Sequence, residues 1–189
     1  MEGTQQLSEL SFATSNENKF QEAERILSNL GVQINFVKTT LEEMQSNSLN
    51  DIAHQKAINA YNRIQKPVII EDDGLFIDSL NGFPGPYSSY VYDTIGNKGI
   101  MNLLENSEVR DAKFVSIIAY CDEPFNSKLF ESSIPGKIAS VIEEGGWGYD
   151  PIFIPDGESK TYANVSDKDK SSHRSASLKK FSSWFLNRQ

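Results

Sequence analysis

The sequence predicts an α/β fold built on a mixed sheet. In the first half of the chain, short apolar strands alternate with amphipathic helices, which is the pattern of helices packed on a sheet. In the second half, residues 113–140 predict a β-rich meander, so the sheet gains an antiparallel portion. With 189 residues, of which 38% are hydrophobic, the chain can bury one sizeable core. We predict a single domain over residues 1–189, either compact or with two lobes sharing the sheet.

Two strand–helix units and a third strand account for the first part of the chain. The segment LSFAT predicts a strand, and the apolar residues of 18–30 recur at helical spacing. The segment VQINFVK alternates as a strand does, and residues 51–64 place their apolar side chains on one face of a second helix. The segment PVII predicts a third, short strand, whose apolar character is typical of a strand covered on both faces.

The second half begins with the loop NGFPGPYSS, which is rich in proline and glycine. A helix is predicted over residues 95–104, before the meander. The segment YDPIFIP predicts one more short strand, and residues 172–186 predict a final amphipathic helix.

Composition and charge exclude some classes of function. The formal net charge of −8 disfavours a broad basic surface for DNA or RNA, so nucleic acid is not an expected partner. The first ten residues lack a basic segment followed by an apolar one, and no apolar stretch approaches the ~18 residues needed to span a membrane. We therefore expect a soluble, cytoplasmic protein with no membrane partner. The single cysteine, Cys121, lies in an apolar run and is expected to be a buried, inert thiol.

Three adjacent acids follow the third predicted strand. Glu71, Asp72 and Asp73 repel one another and need a counter-charge at the mouth of a core. Ligands of α/β sheets bind at the carboxyl ends of strands, and Mg²⁺ prefers one or two carboxylates together with water and substrate phosphates. Alternation along an extended segment sends Asp72 to one side and its neighbours to the other. Glu42 and Glu43 offer a second acidic source, although a solvated loop explains their spacing equally well.

Two further segments could hold an anion. The turn TSNENK, residues 14–19, leaves backbone N–H groups free at the start of a helix, where the dipole attracts anions; an ordinary helix N-cap explains the same residues. His173 and Arg174 fall in the first turn of the final helix, where cations are unfavourable by ~0.3–1 kcal/mol. A phosphate or the polar edge of a base would compensate, with Lys168 nearby, and a solvated basic patch is the alternative.

The loop GGWGYDP, residues 145–151, places two aromatic residues among three glycines. A base that stacks on such an aromatic side chain gains about 1–3 kcal/mol. The alternative is a tight turn in which Trp147 or Tyr149 folds back on the core, and the sequence leaves both open.

Four segments, in order along the chain, resemble one known family. They are FATSNENKFQE, IIEDDGLFIDSLNGFPGPYSS, GWGYDPIF and TYANVSDKDKSSHRSASL, and together they are similar to the inosine triphosphate pyrophosphatase family. The resemblance implies a two-lobed α/β structure around a long mixed β-sheet flanked by helices, with the active cleft between the lobes. It also implies a homodimer that uses Mg²⁺ to convert a purine nucleoside triphosphate to the monophosphate and pyrophosphate.

The resemblance assigns roles to individual residues. It implies that Glu43 and Asp72 hold the metal, with Asp72 as the catalytic proton acceptor. Three positions depart from the family pattern: Trp147 stands where Phe is usual, Tyr90 where many relatives have Arg, and Asp73 where Ser is frequent. The residues implied to bind substrate are Thr14, Ser15, Asn16, Glu17, Asn18, Lys19 and Lys56 at the phosphates, Asp73 against the substrate, and Trp147, Gly148, Tyr149, Asp150, Lys168, His173 and Arg174 at the base and its neighbouring groups.

The function expected from this resemblance is hydrolysis of ITP, dITP and XTP, which cleanses the nucleotide pool. Hypoxanthine and xanthine carry a keto oxygen at position 6 that donors such as His173 or Arg174 can satisfy, whereas adenine presents an amino group there and leaves those donors unpaired. Two alternatives stay open: a pyrophosphatase for modified or pyrimidine nucleotides, including dUTP, and a non-catalytic nucleotide-binding module.

Overall fold

A long mixed sheet organises the protein, whose computed structural model describes residues 10–188. The strands of that part are β1 (Ser11–Thr14), β2 (Asn35–Lys38), β3 (Val68–Ile77), β4 (Pro84–Gly85), β5 (Asp111–Glu123), β6 (Asn126–Ile138) and β7 (Phe153–Pro155). They lie in the order β2-β1-β3-β5-β6-β7, and the two-residue β4 pairs with β3.

The sheet changes direction at β3. β1 lies parallel to both β2 and β3, whereas β5, β6 and β7 join the sheet by antiparallel pairing. β3 pairs with β1 only through its first residues but with β5 along its whole length, from Val68 opposite Cys121 to Ile77 opposite Ala112. The prediction of a mixed sheet with an antiparallel second half is therefore confirmed.

Helices cover both faces of this sheet. Ile69 of β3 packs in the same cluster as Phe181, whereas its neighbours Val68 and Ile70 pack in the cluster that contains Ala57. The two clusters lie on opposite faces because successive side chains of a strand alternate. The α-helices of the described part are α1 (Glu17–Asn29), α2 (Leu49–Ile64), α3 (Ser88–Thr94), α4 (Gly96–Leu103), α5 (Lys168–Ser171) and α6 (His173–Asn187), and short 3₁₀-helices cover Asp78–Leu80 and Asp150–Ile152.

These helices divide the structure into two lobes. α1 and α6 pack on one face of the first lobe and α2 on the other, where Ala53, Ala57 and Ala60 are fully buried and allow a close approach to the sheet. The second lobe has its own cluster around Leu75 and Ile100, which joins α3 and α4 to the far ends of β3 and β5. The predicted two-lobed α/β fold is therefore observed.

The third strand differs most from its prediction. The sequence predicted that it ends at Ile70, with the three acids beyond its end, but β3 continues to Ile77 and contains them. β5 pairs with this stretch along its whole length, from Glu71 opposite Ile118 to Ile77 opposite Ala112, and cations distant in sequence neutralise the acids, as described below. The acids lie beyond the last β3 residue that pairs with β1, so they still follow the parallel part of the sheet.

Several other elements refine the prediction. The second strand is shorter than VQINFVK and begins at Asn35, and α3 begins within the segment predicted as a loop, at Ser88. α5 was not predicted.

Cys121 is buried and burial raises the pKa of its thiol, in agreement with an inert cysteine. Within the described part, the helices are too short or too polar to cross a membrane; residues 1–9, where no targeting signal was expected, lie outside that part.

Candidate active site

A cleft of about 370 Å³ lies between the two lobes. The turn before α1, the middle of β3, the start of α3, the loop 145–150 and the starts of α5 and α6 contribute to its walls. The predicted site residues that line it are Asn16, Asn18, Lys19, Asp73, Trp147, Gly148, Tyr149, Asp150, Lys168 and Arg174. The sequence did not predict the further lining residues Gly74, Ser88, Ser89, Tyr92, Asp93 and Phe114.

The turn between β1 and α1 combines a helix cap with a cation. Asn16 donates its backbone N–H to Thr14 Oγ1 at 3.1 Å, and its side-chain oxygen accepts from the Lys19 amide at 3.2 Å. The N-cap interpretation is therefore correct for Asn16, and it uses only part of the free amides of a helix start. Ser15 is exposed, and the side chain of Glu17 pairs with Lys38 at 2.5 Å on the surface. Only the backbone of Glu17 can therefore serve the predicted phosphate role.

Lys19 and Asp73 form an ion pair in the cleft. Lys19 Nζ donates to Asp73 Oδ1 at 2.6 Å, which joins the start of α1 to β3. Burial alone lowers the pKa of Lys19, but the attraction of Asp73 and Glu71 outweighs it and raises the pKa above its ordinary value. Lys19 therefore carries a full positive charge into the cleft.

The three acids of β3 alternate as predicted. Glu71 and Asp73 face α1 and α6, where Glu71 accepts from Arg174 Nε at 2.6 Å and from Ser116 Oγ at 2.9 Å. Asp73 accepts from Arg174 Nη2 at 3.0 Å. Burial opposes ionisation of Asp73, but the charge of Lys19, the adjacent His173 ring and the charge of Arg174 hold the pKa of that carboxyl well below its usual range. Glu71 and Asp73 are thus internal counter-ions.

Asp72 lies on the opposite side of β3, with Lys56 of α2 and Glu43. Lys56 Nζ hydrogen-bonds to Glu43 Oε1 and lies 3.6 Å from Asp72 Oδ2. Burial is the main cause of a raised pKa at Asp72, against the opposing charges of Lys56 and Lys19. Asp72 Oδ2 is buried and makes no hydrogen bond within residues 10–188.

This arrangement fits a hard divalent cation. Asp72 Oδ2 is buried with no hydrogen bond and with Lys56 Nζ 3.6 Å away, so it keeps a free lone pair for a cation, and Glu43 lies on the same lysine. In the described part, no three His, Cys, Asp or Glu side chains converge as a metal centre. Water and substrate phosphates would complete the shell, which is the usual way in which proteins bind Mg²⁺.

The two aromatic residues of the loop 145–151 have different environments. Trp147 lines the cleft, and the charged groups of Lys168 and Arg174 lie 5.4 and 5.2 Å from its ring centre. Tyr149 is buried and donates its hydroxyl to the Ser88 carbonyl at 2.8 Å. The core-anchor interpretation is confirmed for Tyr149, whereas Trp147 lies on the cleft wall and its stacking role stays a prediction.

Glu22 of α1 is a site residue that the sequence analysis missed. It accepts from Trp147 Nε1 at 2.7 Å and from Lys168 Nζ at 3.2 Å, and it also accepts from Arg174 Nη1. Burial raises its pKa, but Arg174 and Lys168 outweigh burial and lower the pKa to about 2. Its position on the apolar face of α1, next to Ala23, was the signal that could have revealed it.

The environment of Arg174 explains how a cation is accommodated in the first turn of α6, where the helix dipole disfavours it. Its side chain is fully buried among Glu22, Glu71 and Asp73, whose charges outweigh burial and raise its pKa above the ordinary value. A bound phosphate or base edge is therefore not needed to compensate the helix dipole, because internal carboxylates do so. A solvated basic patch is also wrong for this residue, since Arg174 has no solvent exposure.

His173 is the other buried residue in that first turn. Its ring stacks on Phe114 with centroids 4.4 Å apart, and its Nε2 lies 3.7 Å from Asp73 Oδ2. Burial is the main cause of a lowered pKa at His173, so the ring is neutral near pH 7. Neither ring nitrogen has a hydrogen-bond partner in residues 10–188, which leaves one N–H donor beside the cleft.

The fold and the cleft define a two-lobed α/β protein in which buried lysine and arginine side chains pair with carboxylates between the lobes. The model of the Ham1 family matches residues 10–184, and the chain belongs to that family. A relative from Methanopyrus kandleri named dITP/XTP pyrophosphatase is 48% identical over 93% of this chain and 95% of its own length.

Other comparisons agree with this assignment. A relative of the same name from Korarchaeum cryptofilum is 44% identical over 93% of this chain and 95% of its own length. The structure of a HAM1 protein from Coxiella burnetii superposes with a TM-score of 0.81 at 26% identity, covering 95% of this chain and 99% of that one. The family resemblance predicted from the four segments is confirmed.

Proposed function

We propose that this protein hydrolyses the non-standard purine nucleoside triphosphates ITP, dITP and XTP to the monophosphate and pyrophosphate, with Mg²⁺ as cofactor, and so cleanses the nucleotide pool of the cytoplasm. The names of the relatives support the substrate class. The observation that carries the chemistry is Asp72, a buried carboxylate with an unpartnered oxygen beside Lys56 and Glu43.

Substrate phosphates are held by the cations and amides around the turn 14–19. Lys19 faces the cleft at the start of α1, and Lys56 reaches the acidic pair from α2. Mg²⁺ held by Glu43 and Asp72 would neutralise charge on the phosphates and on the pyrophosphate leaving group. The turn thus receives the part of the substrate that carries most negative charge.

Asp72 acts as the proton acceptor for water. The water oxygen bonds to the α-phosphorus, the bond from that phosphorus to the bridging oxygen breaks, and pyrophosphate leaves with its electron pair. The proton of the water passes to Asp72. Because the pKa of Asp72 is raised by burial, its basicity is closer to what proton transfer near neutral pH requires.

The base contacts the opposite end of the cleft. Trp147 offers its ring for stacking. The 6-keto oxygen of hypoxanthine or xanthine accepts from His173 or from an N–H of Arg174 that is not used by the three carboxylates. Adenine offers a donor at position 6, so these buried donors stay unpaired and ATP binds poorly.

Pyrophosphate release from a panel of nucleotides tests the proposal. With Mg²⁺ present, we expect ITP, dITP and XTP to turn over at least about 100-fold faster than ATP, in keeping with rejection by unpaired polar groups. Comparable rates on ATP would contradict the selectivity. Preference for dUTP or modified pyrimidines would favour the first alternative, and no release with Mg²⁺ would favour a non-catalytic module.

We also propose that the protein is a homodimer. The region around α3 exposes two tyrosine rings outside the cleft lining, Tyr90 at 71% exposure and Tyr87 at 39%. Exposed aromatic patches of this kind mark association surfaces. Light scattering of the purified protein should give twice the chain mass, and Tyr90→Ser should shift the equilibrium toward monomer. A wild-type monomer at all concentrations would refute the proposal.

A further inference from the structure

The cations in and beside the cleft all have carboxylate partners. Four cations pair with six carboxylates, so these ion-paired groups carry a net charge of −2 when His173 is neutral, and the cleft-lining Asp93 is a further acid. A polyphosphate must therefore enter a region that is already negative. The partners are Glu43 and Asp72 for Lys56, Asp73 for Lys19, Glu22 and Asp150 for Lys168, and Glu22, Glu71 and Asp73 for Arg174.

The Lys19–Asp73 pair differs from the others in how it is held. Lys19 Nζ makes its one described side-chain hydrogen bond to Asp73, at 2.6 Å, whereas two carboxylates hold Lys168 and three hold Arg174. Both members of the pair line the cleft, with side chains 14% and 20% exposed. An entering anion can therefore bind Lys19 by breaking a single contact, the hydrogen bond to Asp73.

We propose that Asp73 sets the affinity of this site for phosphate groups by acting as an internal competitor for Lys19. In the substrate-free protein its carboxylate occupies the lysine, and a phosphate group must displace it. The displaced carboxylate then stays beside the bound phosphate, because Arg174 still holds its other oxygen at 3.0 Å. Asp73 thus weakens phosphate binding both by competition and by repulsion.

Removal of the Asp73 charge should leave the fold intact. Arg174 keeps Glu22 and Glu71 as partners, and Glu71 is held in addition by Ser116. Asp73→Asn preserves the size of the side chain and a hydrogen-bond acceptor for Arg174. Asp73→Ser also shortens the side chain, so that it no longer contacts Lys19. The two variants separate the effect of charge from the effect of packing.

Calorimetric titration with inorganic pyrophosphate tests the inference without Mg²⁺ and then with it. We expect Asp73→Asn and Asp73→Ser to bind pyrophosphate about tenfold more tightly than the wild type, a change of about 1.4 kcal/mol. Asp122→Ser is the matched control, because it removes a carboxylate paired with Arg188 outside the cleft. Its affinity for pyrophosphate should equal that of the wild type.

A double variant shows whether the gain in pyrophosphate affinity depends on Lys19. In Lys19→Gln, the further change Asp73→Asn should improve pyrophosphate binding far less than it does in the wild type. Unchanged or weaker binding in both Asp73 variants would overturn the inference, as would a changed thermal stability without a changed affinity. Should Asp73→Ser fail to fold, Asp73→Asn alone decides.

The kinetic part of the inference rests on the proposed function. Asp73→Asn should lower KM for ITP about tenfold and lower the inhibition constant of pyrophosphate by a similar factor. An unchanged KM with an unchanged pyrophosphate affinity would overturn the role of Asp73 and leave the proposed function standing. If the wild type hydrolyses no nucleotide, the proposed function fails, and the pyrophosphate titration still decides on Asp73.

Discussion

The indole Nε1 of Trp147 donates a 2.7 Å hydrogen bond to Oε1 of Glu22, across the cleft. Glu22 belongs to α1, and Trp147 belongs to the glycine-rich loop before β7. A carboxylate of one lobe therefore fixes the orientation of the aromatic surface offered by the other. The same carboxylate also contacts Lys168 and Arg174, whose charged groups lie near the Trp147 ring.

Loss of the Trp147 ring should weaken base binding. Trp147→Ala removes the stacking surface, which is worth about 1–3 kcal/mol per base, so KM for ITP should rise about tenfold or more. Trp147→Phe keeps a ring but loses the hydrogen bond to Glu22, so its KM for ITP should lie between that of the wild type and that of Trp147→Ala. Trp184→Phe controls for loss of an indole, because Trp184 packs beside the aromatic cluster under α6. Initial rates over a range of ITP concentrations measure these changes, and a wild-type KM for Trp147→Ala would refute a stacking role.

The stability of the protein should fall in acid through Glu22. The pKa of this carboxyl drops from an ordinary 4.5 to about 2 in the folded state. A group whose pKa is lowered by folding contributes stability above its unfolded pKa and loses that contribution as the pH falls from about 4.5 to about 2. The full contribution has an upper bound of about 3 kcal/mol.

Glu22→Gln isolates this contribution. The variant cannot ionise, so its free energy of unfolding should change less between pH 5 and pH 2 than that of the wild type, by up to about 3 kcal/mol. At pH 7 it should be less stable, because Arg174 and Lys168 lose one counter-charge. Urea unfolding at several pH values measures both effects. Parallel pH profiles for the two proteins would show that Glu22 is not ionised by its partners.

The sequence predicts the alternation of the three acids better than the length of their strand. Glu71, Asp72 and Asp73 point to opposite sides because a strand has a period of two, whatever its partners are. β3 continues beyond Ile70 because it pairs with β5, and Arg174, a residue far along the chain, neutralises two of the acids. Local pattern carries no information about such a partner.

In the candidate site, too, some features follow from local sequence and others depend on residues distant in the chain. The turn 14–19, the acids of β3 and the glycine-rich loop are continuous motifs, so the sequence identifies them directly. The choice between Trp147 and Tyr149 as the core anchor depends on the Ser88 carbonyl, which lies in another segment. Glu22 is the intermediate case, since an acid on the apolar face of α1 was visible in the helical pattern.

The loop that carries Trp147 should tolerate alanine at one glycine and not at another. Gly146 has a φ of +65°, and a Cβ there would lie 2.6 Å from Asp150 Cβ. Gly148 has a similar φ of +59°, but a Cβ there would meet no atom within 4 Å. The two positions share the cost of a left-handed backbone and differ in the space around the side chain.

Gly148→Ala should therefore destabilise the protein by about 1 kcal/mol, and Gly146→Ala by about 2–3 kcal/mol, because the second adds a steric clash. The clash would push Asp150 away from Lys168, which now lies 2.6 Å from it, so KM for ITP should rise more in Gly146→Ala. Thermal unfolding and initial rates of both variants provide the comparison. Equal losses at the two glycines would show that the backbone conformation, and not the contact with Asp150, dominates.

Asp72→Asn should separate activity from stability. Removal of a general base costs about 10²–10⁴ in rate, so kcat for ITP should fall by at least about 100-fold at saturating Mg²⁺. Burial raises the pKa of Asp72, which means that folding disfavours its charged form, and a neutral amide relieves this cost. The melting temperature at pH 7 should therefore stay the same or rise while activity is lost.

Asp78→Asn is the matched control for this prediction, because it makes the same chemical change at an exposed residue just after β3. Its kcat and melting temperature should both match those of the wild type. An active Asp72→Asn protein would refute the role of Asp72 as proton acceptor. A protein that loses both activity and stability would show that Asp72 is a structural residue. The charge of a functional Asp72 opposes folding, and it is useful only when a ligand or a reacting water interacts with it.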